Sequence, residues 1–178
     1  MKTTLGFSVK KSVRTLAAIT LFSVFGFGHS AHAEDKPTTP AATPQLTLEL
    51  AQKIAMSTLQ QCRQDGYAVS VAVVDRSGVL VTQMRNPAAG PHTIGSSLGK
   101  AFTSASMGQP TARLANAIAE NPALNGMRDM DSRMVILAGG LPIVIDGQRV
   151  GGIGVGGAPG GNLDEACATH GLQQIGAK

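Results

Sequence analysis

Residues 134–157 read MVILAGGLPIVIDGQRVGGIGVGG, and three apolar runs stand out in them, at 134–137, 141–145 and 149–155. The breaks between them are Gly139-Gly140 and Asp146-Gly147, dipeptides that favour tight hairpin turns. Strands joined so closely run antiparallel, because a parallel neighbour needs a crossover of roughly a dozen residues. Upstream, residues 67–75 are rich in β-branched side chains, with Val69, Val71 and Val73 on one face. Arg76-Ser77-Gly78 turns that run into another over 79–85, a β-hairpin.

Helices fill the remainder. Leu48, Ala51, Ile54, Ala55, Leu59 and Cys62 recur at helical spacing behind Thr47, a good N-cap. Two prolines and a glycine make 86–91 a loop, after which Ile94, Leu98, Ala101, Phe102 and Ala105 mark a second helix. Pro110-Thr111 opens a third, with Leu114, Ala117 and Ile118, which stops before Asn121-Pro122. The polar connection up to Ser132 carries no pattern, and Asn162 with Glu165 forms a capping box for a last helix to about Ile175. The order is α-β-β-α-α-β-β-β-α. It predicts an α/β (α+β) domain with a five-stranded antiparallel sheet and helices packed on it, since each apolar sheet face must be covered.

The N-terminal residues belong to a different class. Lys2, Lys10, Lys11 and Arg14 precede an apolar stretch over 16–27 and then Ala31-His32-Ala33, the tripartite form of a cleavable signal peptide, 1–33. The apolar stretch is short of the roughly 20 residues that cross a bilayer, so membrane insertion is not expected. Residues 34–45, with three prolines and three threonines, read as a flexible tether, and 46–178 as one domain. Cleavage leaves eleven Lys and Arg against eleven Asp and Glu, so the basic pI of about 9.4 belongs to the leader and no nucleic-acid partner is expected. The chain is expected in the periplasm or secreted. In that oxidising compartment Cys62 and Cys167 are either a disulfide or two buried thiols acting as small hydrophobes.

Chemistry has few places to reside. Gly152, Gly154 and Gly156 alternate onto one face of the last strand and leave it without side chains. The bland occupant of that face is an alanine-rich helix, carrying Ala51 and Ala55 or Ala166 and Ala168; the sharper one is a planar cofactor. Residues 152–157 also satisfy G-x-G-x-x-G, but no βαβ unit surrounds them, and Asp164 and Glu165 would repel a pyrophosphate. Outside the leader the histidines are His92 and His170. His92 precedes the second helix, whose positive end favours a neutral imidazole able to ligate iron or zinc; the plainer reading is a solvated loop residue. His170 shares a helix face with Cys167, too few ligands for a closed zinc site. No Cys-x-x-Cys-His occurs, so covalent c-type haem attachment is not expected, and no serine stands in a G-x-S-x-G elbow, so hydrolase chemistry has no support. Met84, Met107, Met127 and Met130 are soft ligands or gap fillers, and Arg85 and Lys100 are propionate partners or surface charges.

Several separated blocks in one order resemble the GlcG/HbpS-like haem-binding, or haem-degrading, domain family over residues 46–175. They are Val71-Ala72-Val73-Val74-Asp75 with Gly78, Gly90-Pro91-His92-Thr93, Lys100-Ala101 with Thr103, Gly139-Gly140-Leu141-Pro142-Ile143, the glycines of 151–157, and Ala158-Pro159-Gly160-Gly161 with Asp164-Glu165-Ala166-Cys167. The resemblance implies a profilin-like fold and homo-oligomers. It implies relatives among exported haem binders that act beside a sensor kinase, cytoplasmic proteins of glycolate-use operons, and a domain joined to a cobalamin adenosyltransferase. His92 fits the family's loop-to-helix region, while His170 stands where the family usually has a small residue. The resulting expectation is an exported module that holds haem or a related tetrapyrrole for sequestration, delivery or sensing, with a membrane sensor protein as partner. Cofactor contacts are expected from His92, Arg85, Lys100, Gly152, Gly154 and Gly156, with His92 and His170 as candidate iron ligands. Two other readings stand beside it. One is an enzyme that opens haem or acts on a small organic acid; the other is a ligand-free interaction subunit.

Overall fold

The computed structural model describes residues 44–177. The signal peptide read over 1–33, and all but the last two residues of the tether, lie outside the described residues. Helix α1 spans Leu48–Gln64 and begins as expected, with the Thr47 side chain accepting the Leu50 N–H at 3.2 Å. Strands β1 (Ser70–Asp75) and β2 (Leu80–Arg85) follow, then α2 (His92–Met107) and α3 (Thr111–Glu120). A 3-10 stretch, Pro122–Asp129, occupies part of the connection that carried no pattern, started by the Asn121 side chain accepting the Ala123 N–H. Strands β3 (Gly140–Ile145) and β4 (Gln148–Gly156) and helix α4 (Gly161–Gln173) complete the chain.

The sheet has four strands in the order β2-β1-β4-β3, all neighbours antiparallel, and not the five expected. Residues 134–137 are the missing strand, and their hydrogen-bonding groups explain why. The Val135 N–H goes to Thr103 Oγ1 at 2.9 Å, the Ile136 carbonyl accepts from Arg128 at 3.2 Å, and the Leu137 carbonyl accepts from Thr111 Oγ1 at 2.5 Å. Side chains satisfy this backbone, and Ile136 packs with Leu114 and Ile118. Gly139-Gly140 is accordingly the entrance to β3 and not a hairpin turn. Asp146-Gly147 is one: both residues take positive φ, 50° and 74°, as a two-residue hairpin requires.

Both faces of the sheet are covered. Val71, Val73, Ile153 and Val155 meet Ile54, Ala55 and Leu172 of α1 and α4 in the main core, where Cys62 and Cys167 are joined as a disulfide with Cα atoms 5.5 Å apart. The opposite face, with Ala72 and Val74, receives Ala101 and Ala105 of α2. That helix lies directly on the glycines of β4. A Cβ added at Gly152 would stand 2.5 Å from the Ala101 carbonyl oxygen, and one at Gly154 would run into the Ser97 carbonyl. The bare face thus carries a helix, as the bland reading held, but the helix is α2 and not α1 or α4. Gly152 and Gly154 are corrected from cofactor contacts to packing positions, because no flat ligand can enter where two backbones already touch.

Candidate functional site

A tightly braced loop delivers His92. After β2, Arg85 turns its Nη1 back onto the carbonyls of Asn86 (3.3 Å), Pro87 (3.1 Å) and Ala89, while Asn86 Oδ1 accepts the Ala88 N–H at 2.9 Å. Thr93 Oγ1 donates to the Gly90 carbonyl at 2.6 Å, so the 2.7 Å bond between Ser70 and Thr93 has the Ser70 hydroxyl as its donor. These bonds pin the first turn of α2 to β1. The imidazole of His92 nevertheless remains solvent-exposed. It folds over Gly90, where an added Cβ would lie 2.6 Å from ring atom Cε1.

His92, Ser96 and Lys100 are spaced by four and therefore share one face of α2. They line one side of a groove of about 520 Å3, a volume within the ~300–1,000 Å3 of small-molecule sites. Leu137, Ala138 and the loop over 157–161 line the rest. Burial deepens along the helix face from exposed His92 through half-buried Ser96 to Lys100, which is 3 % exposed. The Lys100 ammonium donates to Asp164 Oδ2 at 2.9 Å and to the Val155 carbonyl at 2.8 Å. Asp164 Oδ1 accepts the Ala158 N–H at 3.0 Å, so the inner end of the groove is an internally neutralised ion pair. The outer end offers an accessible ring nitrogen donor set beside apolar side chains.

The predicted site residues separate into three fates. His92 lies on the groove, and Gly156 lies next to it, where an added Cβ would sit 3.0 Å from Ser96 Oγ. Lys100 also lines it, but its charge is committed to Asp164, which corrects its reading as a propionate partner or surface charge. Arg85 braces the loop from outside the groove, which corrects its reading as a propionate partner, while its exposed position fits the surface-charge reading. His170 is elsewhere: it shares a polar depression with Ser57, Gln60 and Gln61 of α1 and lies 3.4 Å from the Gln174 side chain. It lines none of the groove and is corrected from second ligand to a residue of the α1–α4 face. The capping box is corrected too, since α4 starts at Gly161 with Gly160 as its N-cap and no side-chain cap. Among the described residues no three His, Cys, Asp or Glu side chains cluster as a metal site, and no helix is long and apolar enough to cross a membrane.

Sequence reasoning missed Ser96, Leu137, Ala138 and Asp164. Ser96 had a signal, its four-residue offset from His92. Asp164 stood in one of the blocks that carry the family resemblance, but its pairing had no local signal, because its partner lies 64 positions earlier and only the fold brings them together.

Comparison with known proteins supports the same outline. A Streptomyces reticuli HbpS double mutant is 42% identical, with a TM-score of 0.70 over 75% of this chain and 89% of its own. Klebsiella pneumoniae ORFY is 28% identical, with a TM-score of 0.69 over 78% of this chain and 96% of its own. The PduOC–heme complex, at 23% identity and a TM-score of 0.71 over 76% and 98%, shares the fold. An uncharacterised 15.0 kDa Citrobacter freundii protein from the dhaT–dhaS intergenic region is 30% identical over 113 residues, 63% of this chain and 80% of that one. The family model described as haem degrading protein, HbpS-like, matches residues 46–173, and the chain belongs to that family.

Proposed function

We propose that this protein is an exported, oligomeric haem-binding module that holds the macrocycle in the groove beside His92 and releases it to a partner such as a membrane sensor. The observation that carries the reading is the exposed imidazole at the first turn of α2, whose backbone the loop holds in place, on a groove whose facing wall includes Leu137, Ala138 and Pro159. A ring nitrogen there is a competent axial ligand for haem iron. Leu137, Ala138 and Pro159 would contact the apolar macrocycle, and the groove is open enough for reversible exchange. Membership of a haem-degrading family and the haem-bound relative support the same ligand class. Holding is favoured over degradation because the other titratable groups lining the groove, Lys100 and Asp164, are tied to each other.

Hemin titrated into the 34–178 protein tests this. A saturable Soret band distinct from free hemin is expected, and His92→Ala should shift it and weaken binding well beyond the ~10-fold typical of losing an outer-shell partner. An unchanged hemin spectrum at high micromolar concentration would reject the reading. Loss of the bound band with ascorbate and oxygen, faster than free hemin, would favour degradation instead. Export and assembly have their own checks: the product recovered outside the cytoplasm should begin at Glu34, and light scattering should give a mass above that of one chain.

A further inference from the structure

Burying two opposite charges sacrifices their hydration, and an apolar pair of similar volume usually holds a fold as well or better. Lys100 and Asp164 are nevertheless both 3 % exposed, and theirs is the buried ion pair among the described residues. Their contacts suggest a geometric purpose. Lys100 stands on the helix face that carries His92, eight residues further along. Its ammonium holds the Val155 carbonyl at 2.8 Å, near the end of β4, and Asp164 Oδ2 at 2.9 Å, in the first turn of α4. Asp164 in turn holds the Ala158 N–H at 3.0 Å. These bonds connect the two sides of the groove: the α2 face, and the loop over 157–161. Space around the pair is tight as well, since a Cβ added at Gly139 would lie 2.7 Å from Asp164 Cβ and 3.0 Å from Lys100 Nζ.

We infer that the Lys100–Asp164 pair is a positioning clamp that sets the distance between the His92 face of α2 and the 157–161 loop, and with it the aperture available to a flat ligand. The inference rests on the haem reading of this groove. Neither residue ligates the iron; each acts through the walls it holds. Loss of the clamp should therefore lower affinity while leaving the ligand-dependent absorption maxima where they are.

Two variants test it. Asp164→Ala deletes the clamp and strands a buried lysine, while the double variant Lys100→Met, Asp164→Leu removes both charges and should remain folded. Ile54→Val, in the core across the sheet, is the control for simple loss of stability. In the folded variants hemin affinity should fall on the order of 10-fold, the usual size of an outer-shell effect, with an unmoved Soret maximum. Ile54→Val should lower the melting temperature and leave affinity unchanged within about twofold. Amide exchange without hemin gives an independent readout. The Ala158 N–H should exchange at least about tenfold faster in the double variant than in the parent or in Ile54→Val, as expected when its acceptor is removed. Unchanged Ala158 exchange, or parental hemin affinity in the double variant, would overturn the clamp. A parent protein that leaves the hemin spectrum unaltered while Ala158 exchange responds as stated would overturn the haem reading and leave the wall-to-wall clamp standing.

Discussion

At the scale of single residues, the position of His92 depends on what its neighbours lack. Gly90 leaves the room that the ring occupies, and Thr93, one residue on, ties the turn to Ser70 of β1. Gly90→Ala should displace the imidazole, which is free to swing toward solvent, and so weaken hemin binding severalfold with little change in melting temperature. Asp131 makes a second prediction of this size. Two N–H groups of Arg133, at 2.9 Å (Nε) and 2.6 Å (Nη2), bond its carboxylate and hold its pKa down to about 2. NMR titration should find Asp131 there, and Arg133→Met should return it toward 3.8. Since the folded-state pKa is the lower one, this pair stabilises the fold above the ordinary carboxylate range, and its contribution disappears as pH falls from about 4 to about 2. The same guanidinium lies 4.0 Å above the Phe102 ring. His92 was legible from sequence because helix starts are local signals. The commitments of Arg85 and Lys100 were not, because a charged side chain's partner is a product of the fold.

Elements tell a similar story with a different cause. The helices and the two hairpins follow from apolar periodicity and turn chemistry, which act within a few residues, and α1, β1, β2, α2 and α3 form close to where the pattern put them. Residues 134–137 have the composition of a strand and do not become one. Their carbonyls and amides find Thr103, Arg128 and Thr111 before they find a sheet edge, and no local pattern reveals such partners. The glycines of β4 were legible as a close-approach surface, but the identity of the helix on it was not, since α1, α2 and α4 all carry small residues. Gly154→Ala tests the packing: its methyl group would meet the Ser97 carbonyl, force α2 outward and cost about 1–3 kcal/mol, measurable by urea unfolding. Because α2 carries His92, the same variant should also perturb hemin binding.

Across the whole molecule, the sheet divides a side closed by α1 and α4 from a side that carries α2 and the groove. On the first, the Cys62–Cys167 disulfide links α1 to α4 across 105 positions of sequence, nearly the full length of the folded body. Removing it, by reduction or by Cys62→Ser with Cys167→Ser, should cost about 2–5 kcal/mol in reversible unfolding, because the bond restricts the unfolded chain over a long loop. An unchanged midpoint would mean that the bridge does not form in solution. On the second, the α2 face, the β4–α4 loop and the first turn of α4 assemble the groove from segments far apart in sequence, and for that reason His92, Lys100 and Gly156 were visible beforehand but not the wall that faces them. The central claim, that ferric haem sits in this groove, is tested most directly by paramagnetic broadening in the two-dimensional NMR spectrum of the uniformly 15N-labelled protein. Hemin should erase the amide signals of His92, Ser96, Ala158 and Gly161 while those of Gln60, Gln61 and His170 stay sharp. Broadening centred on the His170 depression, or none at all beside a protein-bound Soret band, would contradict the account.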